Sequence, residues 1–150
     1  MKPVRDDDGT RYLLVKRSSD SSLVRDPRTG EERYVTNDRL ETLPEESALE
    51  LAARAVDGDV RTPLLSIHDE RTLGLVLEIA RRGPLGVREI LGYSDFCESD
   101  LHGRLAVLTA GGVLEETEVG GERGYAISES ARRGLEVLTE GTAVDGERSP

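Results

Sequence analysis

Few residues in this chain have the types and spacing for chemistry. The only histidines are His68 and His102, 34 positions apart, and the only cysteine is Cys97. A two-histidine metal site would need carboxylate helpers that no spacing identifies. One cysteine excludes an internal disulfide and a Cys-based zinc site. Cys97 falls at a predicted helix start, where a thiolate is favoured and redox sensing is conceivable. A small packed side chain is the commoner role. Asp6-Asp7-Asp8 has the composition of a cation site, but also of a solvated acidic turn. No Gly-rich phosphate loop, nucleophile elbow or catalytic carboxylate pair is present. The expectation is a protein that is not an enzyme and carries no cofactor or metal.

Charge is the strongest compositional signal. Thirty acidic residues oppose twenty basic ones, for a net charge of −10. Eighteen of the basic residues are Arg, and only Lys2 and Lys16 are Lys. Hydrophobic residues are 36% of the chain, with one Phe and no Trp. The core must therefore be built from Leu, Val, Ile and Ala. Acidic, Lys-poor chains with small aliphatic cores resemble proteins of extreme halophiles. Carboxylates hold water at molar salt, and screening there cancels their mutual repulsion. At such salt no DNA-binding protein can rely on a broad basic patch, so acidity alone does not exclude nucleic acid. The N-terminus lacks the apolar stretch of a signal peptide, and no run approaches membrane-spanning length. The expectation is a cytoplasmic protein.

These residues need elements to hold them. Residues 1–43 carry nine basic and nine acidic residues, so the whole net charge lies in the remainder. The first segment reads as a small antiparallel β unit. Asp7-Asp8-Gly9 is a turn, Tyr12 to Lys16 alternate as a strand, and Leu23 to Val35 form a hairpin about Asp26-Pro27-Arg28-Thr29-Gly30. Residues 44–57 read as a helix with Pro44 in its first turn. Its apolar stripe is Ala48, Leu51, Ala52 and Ala55. Residues 58–65 read as a connector, giving a helix-and-connector segment over 44–65.

The next stretch is strongly periodic. Asp69 and Glu70 open a helix whose predicted buried face is Leu73, Val76, Leu77 and Ala80, stopped by Gly83-Pro84. A short helix carries Val87, Ile90 and Leu91. A turn runs from Gly92 to Phe96, with Tyr93 and Phe96 expected as core plugs. A third helix runs from about Cys97 to Ala110 with Leu101, Leu105 and Leu108 buried. A hairpin follows, with its tip at Gly120 to Gly124. Ser128 or Ser130 then caps a last helix carrying Ala131, Leu135 and Leu138 inward. Residues 140–150 read as a disordered tail.

Helix, short helix, turn, helix, hairpin and helix is the order of a winged helix-turn-helix, expected over 66–139. The fold class expected is α+β: that domain preceded by a small antiparallel sheet and a helix. The segments LGLVLEIARRGPLGVREIL, CESDLHGRLAVLTAGGVLEE and YAISESARRGLEVL resemble MarR-like and ArsR-like regulators. That resemblance implies a sequence-specific DNA-binding transcriptional regulator with double-stranded DNA as partner. The alternative is a winged-helix module that binds protein within a transcription or chromosome-associated assembly. It further implies DNA contact by Ser99, His102, Gly103 and Arg104 on the third helix. Arg88 on the second helix and Arg123 at the hairpin tip complete the set. Glu98 and Asp100 depart from the family pattern, and dipole complementation accounts for acids at a helix start. A homodimer is expected, through the 44–57 helix or the closing helix, with the N-terminal sheet available to a protein partner.

Overall fold

The computed structural model describes residues 1–142, which divide into two compact units meeting between Asp57 and Gly58. In the first, alternation along the chain builds strands. These are β1 (Lys2–Arg5), β2 (Arg11–Arg17), β3 (Ser21–Arg25), β4 (Glu32–Thr36) and β5 (Glu41–Thr42). They form one sheet in the order β4-β3-β2-β1-β5, each neighbouring pair antiparallel. Val4, Tyr12, Val24 and Val35 make its core, with Leu14 and Leu40 against them. The predicted strand and hairpin are both present. β1 and β5 were not anticipated, because four and two residues are too short to show a period of two.

The helix expected over 44–57 is shorter and starts later. Ser47 is its N-cap, its hydroxyl accepting the Glu50 amide at 3.2 Å. α1 (Ala48–Ala52) runs into a single 3-10 turn, Ala53–Ala55. Pro44 lies outside, and Leu51 is the only buried residue of α1. Ala55 is exposed, so the four-residue stripe never forms one buried face.

The second unit begins where a connector was expected. α2 (Gly58–Ser66) is a helix containing Pro63, and these two residues, which punctuate sequence, concealed it. Pro63 has no N–H to offer the Asp59 carbonyl four residues back. The last helix, α6 (Glu129–Thr142), packs against α2 there. A Cβ on Gly134 would stand 1.9 Å from the Asp59 carbonyl oxygen, so only glycine lets the two backbones meet.

α3 (Glu70–Arg82) is capped by Asp69, whose carboxylate accepts the Thr72 amide at 2.8 Å. Its buried face is Thr72, Leu75, Val76 and Ile79, whereas Leu73 is exposed and Leu77 and Ala80 are half-buried. The expected and observed faces share the i, i+3, i+4, i+7 spacing and differ by one residue of rotation. On the observed face the buried Thr72 hydroxyl has a partner, Arg104, and Leu75, Val76 and Ile79 enter the core. β6 (Leu85–Gly86) leads to α4 (Val87–Tyr93), and α5 (Glu98–Ala110) follows a turn. β7 (Leu114–Val119) and β8 (Glu122–Ile127) form a hairpin, with β6 on the outer side of β8. Ser128 caps α6: its hydroxyl accepts the Ala131 amide and donates to the Gly112 carbonyl. Ala131 and Leu135 enter the core as expected, but Leu138 stays partly exposed. Of the expected disordered tail, 143–150 lie outside the described residues, and α6 continues through Thr142.

Candidate nucleic-acid interface

Helix α5 is held by one row of leucines. Leu101, Leu105 and Leu108 are all but fully buried, as their spacing predicted. They pack into a core with Val76, Ile79 and Ile90. The opposite row is exposed and made of Ser99, Gly103 and Ala106, which are small, and His102. Glu98 joins it, its carboxylate 3.8 Å from His102 Nε2. Three of the predicted contact residues, Ser99, His102 and Gly103, therefore share one outward face.

Arg104 does not join them. Its Nη1 lies 2.9 Å from both oxygens of Asp69, and its Nε lies 3.1 Å from Asp100 Oδ1. The same Nη1 donates to the Thr72 hydroxyl. The guanidinium also lies 4.8 Å from the centre of the Phe96 ring, over which Arg71 stands at 4.4 Å. Arg71 in turn pairs with Asp95 at 3.0 Å. Arg104 is thus a strut between α5 and the start of α3, and its expected placement on the reading face is corrected. Position 104 sits between the buried and exposed rows, and the carboxylates on its inner side decide which way it turns. Asp100 was legible as a partner from its i, i+4 spacing; Asp69, 35 residues away, was not. The Thr72 amide, then the Thr72 hydroxyl and Arg104, hold the Asp69 carboxyl below its ordinary range. Phe96 plugs the core as expected, while Tyr93 is exposed beneath the Arg82 guanidinium.

Cys97 occupies the N-cap position of α5 and is exposed. The Asp100 amide and the Ser99 hydroxyl hold its thiol below the usual value. A groove of about 300 Å³ between the start of α3 and α5 is lined by His68, Asp69, Ser99, Asp100, Arg104 and Val107, among others.

The hairpin tip is narrower than expected. Gly120 and Gly121, at φ 58° and 84°, make the whole turn, since two glycines supply both positive angles of a two-residue hairpin. Arg123 consequently lies inside β8, opposite Glu118, and pairs with Glu116 at 2.8 Å. Its expected place at the tip is corrected. Glu115, Glu116 and Glu118 are all exposed on β7, so this wing is acidic. Arg88 is exposed at the start of α4, where its amide donates to Glu122 Oε1 at 3.2 Å. Its guanidinium makes no ion pair among the described residues.

Asp6, Asp7 and Asp8 bring carboxylate oxygens within 4.8 Å of one another. Asp6 Oδ1 already accepts the Asp8 and Thr10 amides, and Asp7 pairs with Arg39, so the run reads as an organised turn. Among the described residues no helix is long and apolar enough to cross a membrane.

No curated protein matches the chain. Among solved structures it is similar to the crystal structure of an ArsR family transcriptional regulator, at 19% identity and a TM-score of 0.43, over 63% of this chain and 97% of that one. A family match extends over residues 1–139, through both units and nearly to the end of α6, and by it this chain belongs to DUF7346, a family of unknown function.

Proposed function

We propose that the unit from Gly58 onward is a winged helix-turn-helix, and that the chain is a cytoplasmic, non-enzymatic regulator of transcription that binds double-stranded DNA as a homodimer. The observation that carries this reading is the outer row of α5. Ser99, His102, Gly103 and Ala106 form a slim, hydrogen-bonding ridge on a helix fixed from behind by three leucines. A ridge of short side chains can enter a major groove closely. Its hairpin follows directly, and Arg88 supplies an exposed cation beside it. The contacts proposed are therefore Ser99 and His102 to base edges, with Gly103 letting the backbone approach closely, and Arg88 to phosphate. Dimerisation is assigned to the exposed apolar residues Leu64 and Leu65 of α2 and Val137 and Leu138 of α6.

A second reading is favoured by a specific observation. Arg104 and Arg123 are both neutralised by carboxylates, and the wing is acidic. A protein partner with a basic surface would suit this face better than phosphate does.

Selection of bound fragments from host genomic DNA by the full chain, at the salt where it is folded, separates the two. The DNA reading expects a motif of two half-sites and its loss in His102→Ala with Arg88→Ala. Absence of any enriched motif would leave the protein-binding module.

A further inference from the structure

The first unit concentrates unpaired cations in an otherwise acidic chain. In the sheet order β4-β3-β2-β1-β5, the β1–β2 and β3–β4 turns lie at the same end. Leu13 pairs with Arg25, so Arg11 at the start of β2 stands beside the Asp26–Arg28 turn. α1 and its 3-10 extension bring Leu51 and Arg54 to the same place. Together they wall a groove of about 420 Å³ lined by Thr10, Arg11, Asp26, Arg28, Leu51 and Arg54, with Gly9 and Pro27 at its edges. That volume is within the range of small-molecule sites.

The three arginines differ in what already holds them. Arg11 Nε and Nη2 engage the two oxygens of Glu46 at 2.9 and 2.8 Å, which leaves Nη1. The side chains of Arg28 and Arg54 make no hydrogen bond or ion pair among the described residues, and Arg54 acts on Glu46 only at longer range. The Arg28 amide donates to Asp26 Oδ1 at 2.8 Å, which fixes the turn and occupies that oxygen. Among the described residues, Asp26 is the only carboxylate lining the groove. Glu45, Glu46 and Glu50 line the neighbouring depression on the far side of Arg11 and Arg54.

We propose that this groove binds a small phosphate-bearing ligand, with Arg28 and Arg54 as its principal donors, Arg11 as a third and Leu51 as an apolar floor. Guanidinium forks arriving from a strand, a turn and a helix end suit a tetrahedral anion with oxygens in several directions. A planar carboxylate offers them only two oxygens, both in one plane. The site lies wholly within residues 1–57 and does not depend on what the second unit binds.

The test is a calorimetric and NMR titration of the full chain, at the lowest salt where circular dichroism finds it folded. The probes are inorganic phosphate, adenosine monophosphate and a short single-stranded oligonucleotide. Saturable binding of phosphate or of the mononucleotide is expected, with amide shifts at Thr10, Arg28 and Leu51. Arg28→Gln with Arg54→Gln should weaken it at least tenfold, while Arg17→Gln, at the other end of β2, should leave it within twofold. Stronger binding of the mononucleotide than of phosphate would assign the apolar floor to a base or sugar; equal binding would assign the site to the free anion. Preference for the oligonucleotide over both small probes overturns the small-ligand proposal. So does the absence of saturation, or an equal loss in the Arg17 variant, which would reduce the effect to net charge. Unchanged circular dichroism in the Gln variants separates lost binding from lost folding.

Discussion

Arg104 and Asp69 meet across the seam between α5 and α3, one guanidinium nitrogen 2.9 Å from each carboxylate oxygen. Asp69 is also the cap of α3, so one side chain both starts a helix and anchors its neighbour. Its carboxyl is depressed below the ordinary 3.8. Such a group contributes fully above that value and loses its contribution as the pH falls through the depressed pKa. Asp69→Asn keeps a good cap and removes the charge. The melting temperature of wild type should fall more steeply below pH 4 than that of Asp69→Asn. Parallel curves from pH 6 to pH 2 would count against the strut.

Arg104→Ala should lower the melting temperature measurably, since it breaks contacts to Asp69, Asp100, Thr72 and Phe96 together. Arg104→Lys should not restore it, because an ammonium cannot hold two carboxylates and a ring face as a planar fork does. Differential scanning fluorimetry of both variants decides this. Full rescue by Lys would mean charge alone matters.

The face of α3 can be read by mutation. Leu75→Ala should cost about 2–5 kcal/mol in denaturant unfolding, the usual range for a buried leucine. Leu73→Ala, on the exposed side, should cost less than about 1 kcal/mol. The reverse order would restore the face that periodicity alone suggested.

That ambiguity shows what the sequence could and could not carry. Leu101, Leu105 and Leu108 were legible because every flanking position except Val107 is polar or small, which leaves one continuous apolar row. Around α3, Leu73, Leu75, Val76, Leu77, Ile79 and Ala80 offer two adjacent stripes, and what separates them is contact with residues distant in sequence, the core leucines of α5 and Arg104 against Thr72. α2 was hidden by Gly58 and Pro63, and the helix it packs against, α6, lies in a different part of the chain. The outward placement of Ser99, His102 and Gly103 follows from helical phase, whereas their contact role and that of Arg88 came only with the family resemblance. Arg104 went astray because its partner Asp69 is 35 residues away, and Arg123 because the turn is Gly120-Gly121 alone.

Gly134→Ala should destabilise the protein by about 1–3 kcal/mol, the typical cost of overpacking. The added methyl would meet the Asp59 carbonyl, a backbone atom that cannot swing aside. Gly103→Ala, where a Cβ meets nothing within 4 Å, should be neutral or stabilising. Chemical denaturation of the pair is the check, and equal effects would refute the close crossing.

Leu65→Glu and Val137→Glu each place a charge on the exposed apolar surface of α2 and α6. Light scattering at molar salt and tens of micromolar protein should find wild type dimeric and both variants monomeric. A monomeric wild type would sink the assigned interface.

With thirty acids against twenty bases, repulsion should weaken at high ionic strength. The melting temperature should rise steadily between low and molar potassium chloride. A flat series would argue against the halophilic reading of the composition.

Glu122 lies at the first position of β8, one residue past the hairpin turn, yet its carboxylate reaches the Arg88 amide in α4 and packs over Gly86. Gly86 itself pairs with Gly124 on the same strand. The hairpin is therefore clasped near its tip as well as rooted at its base. Removing the Glu122 carboxylate would free the hairpin end and the first turn of α4 together, because one side chain fastens both.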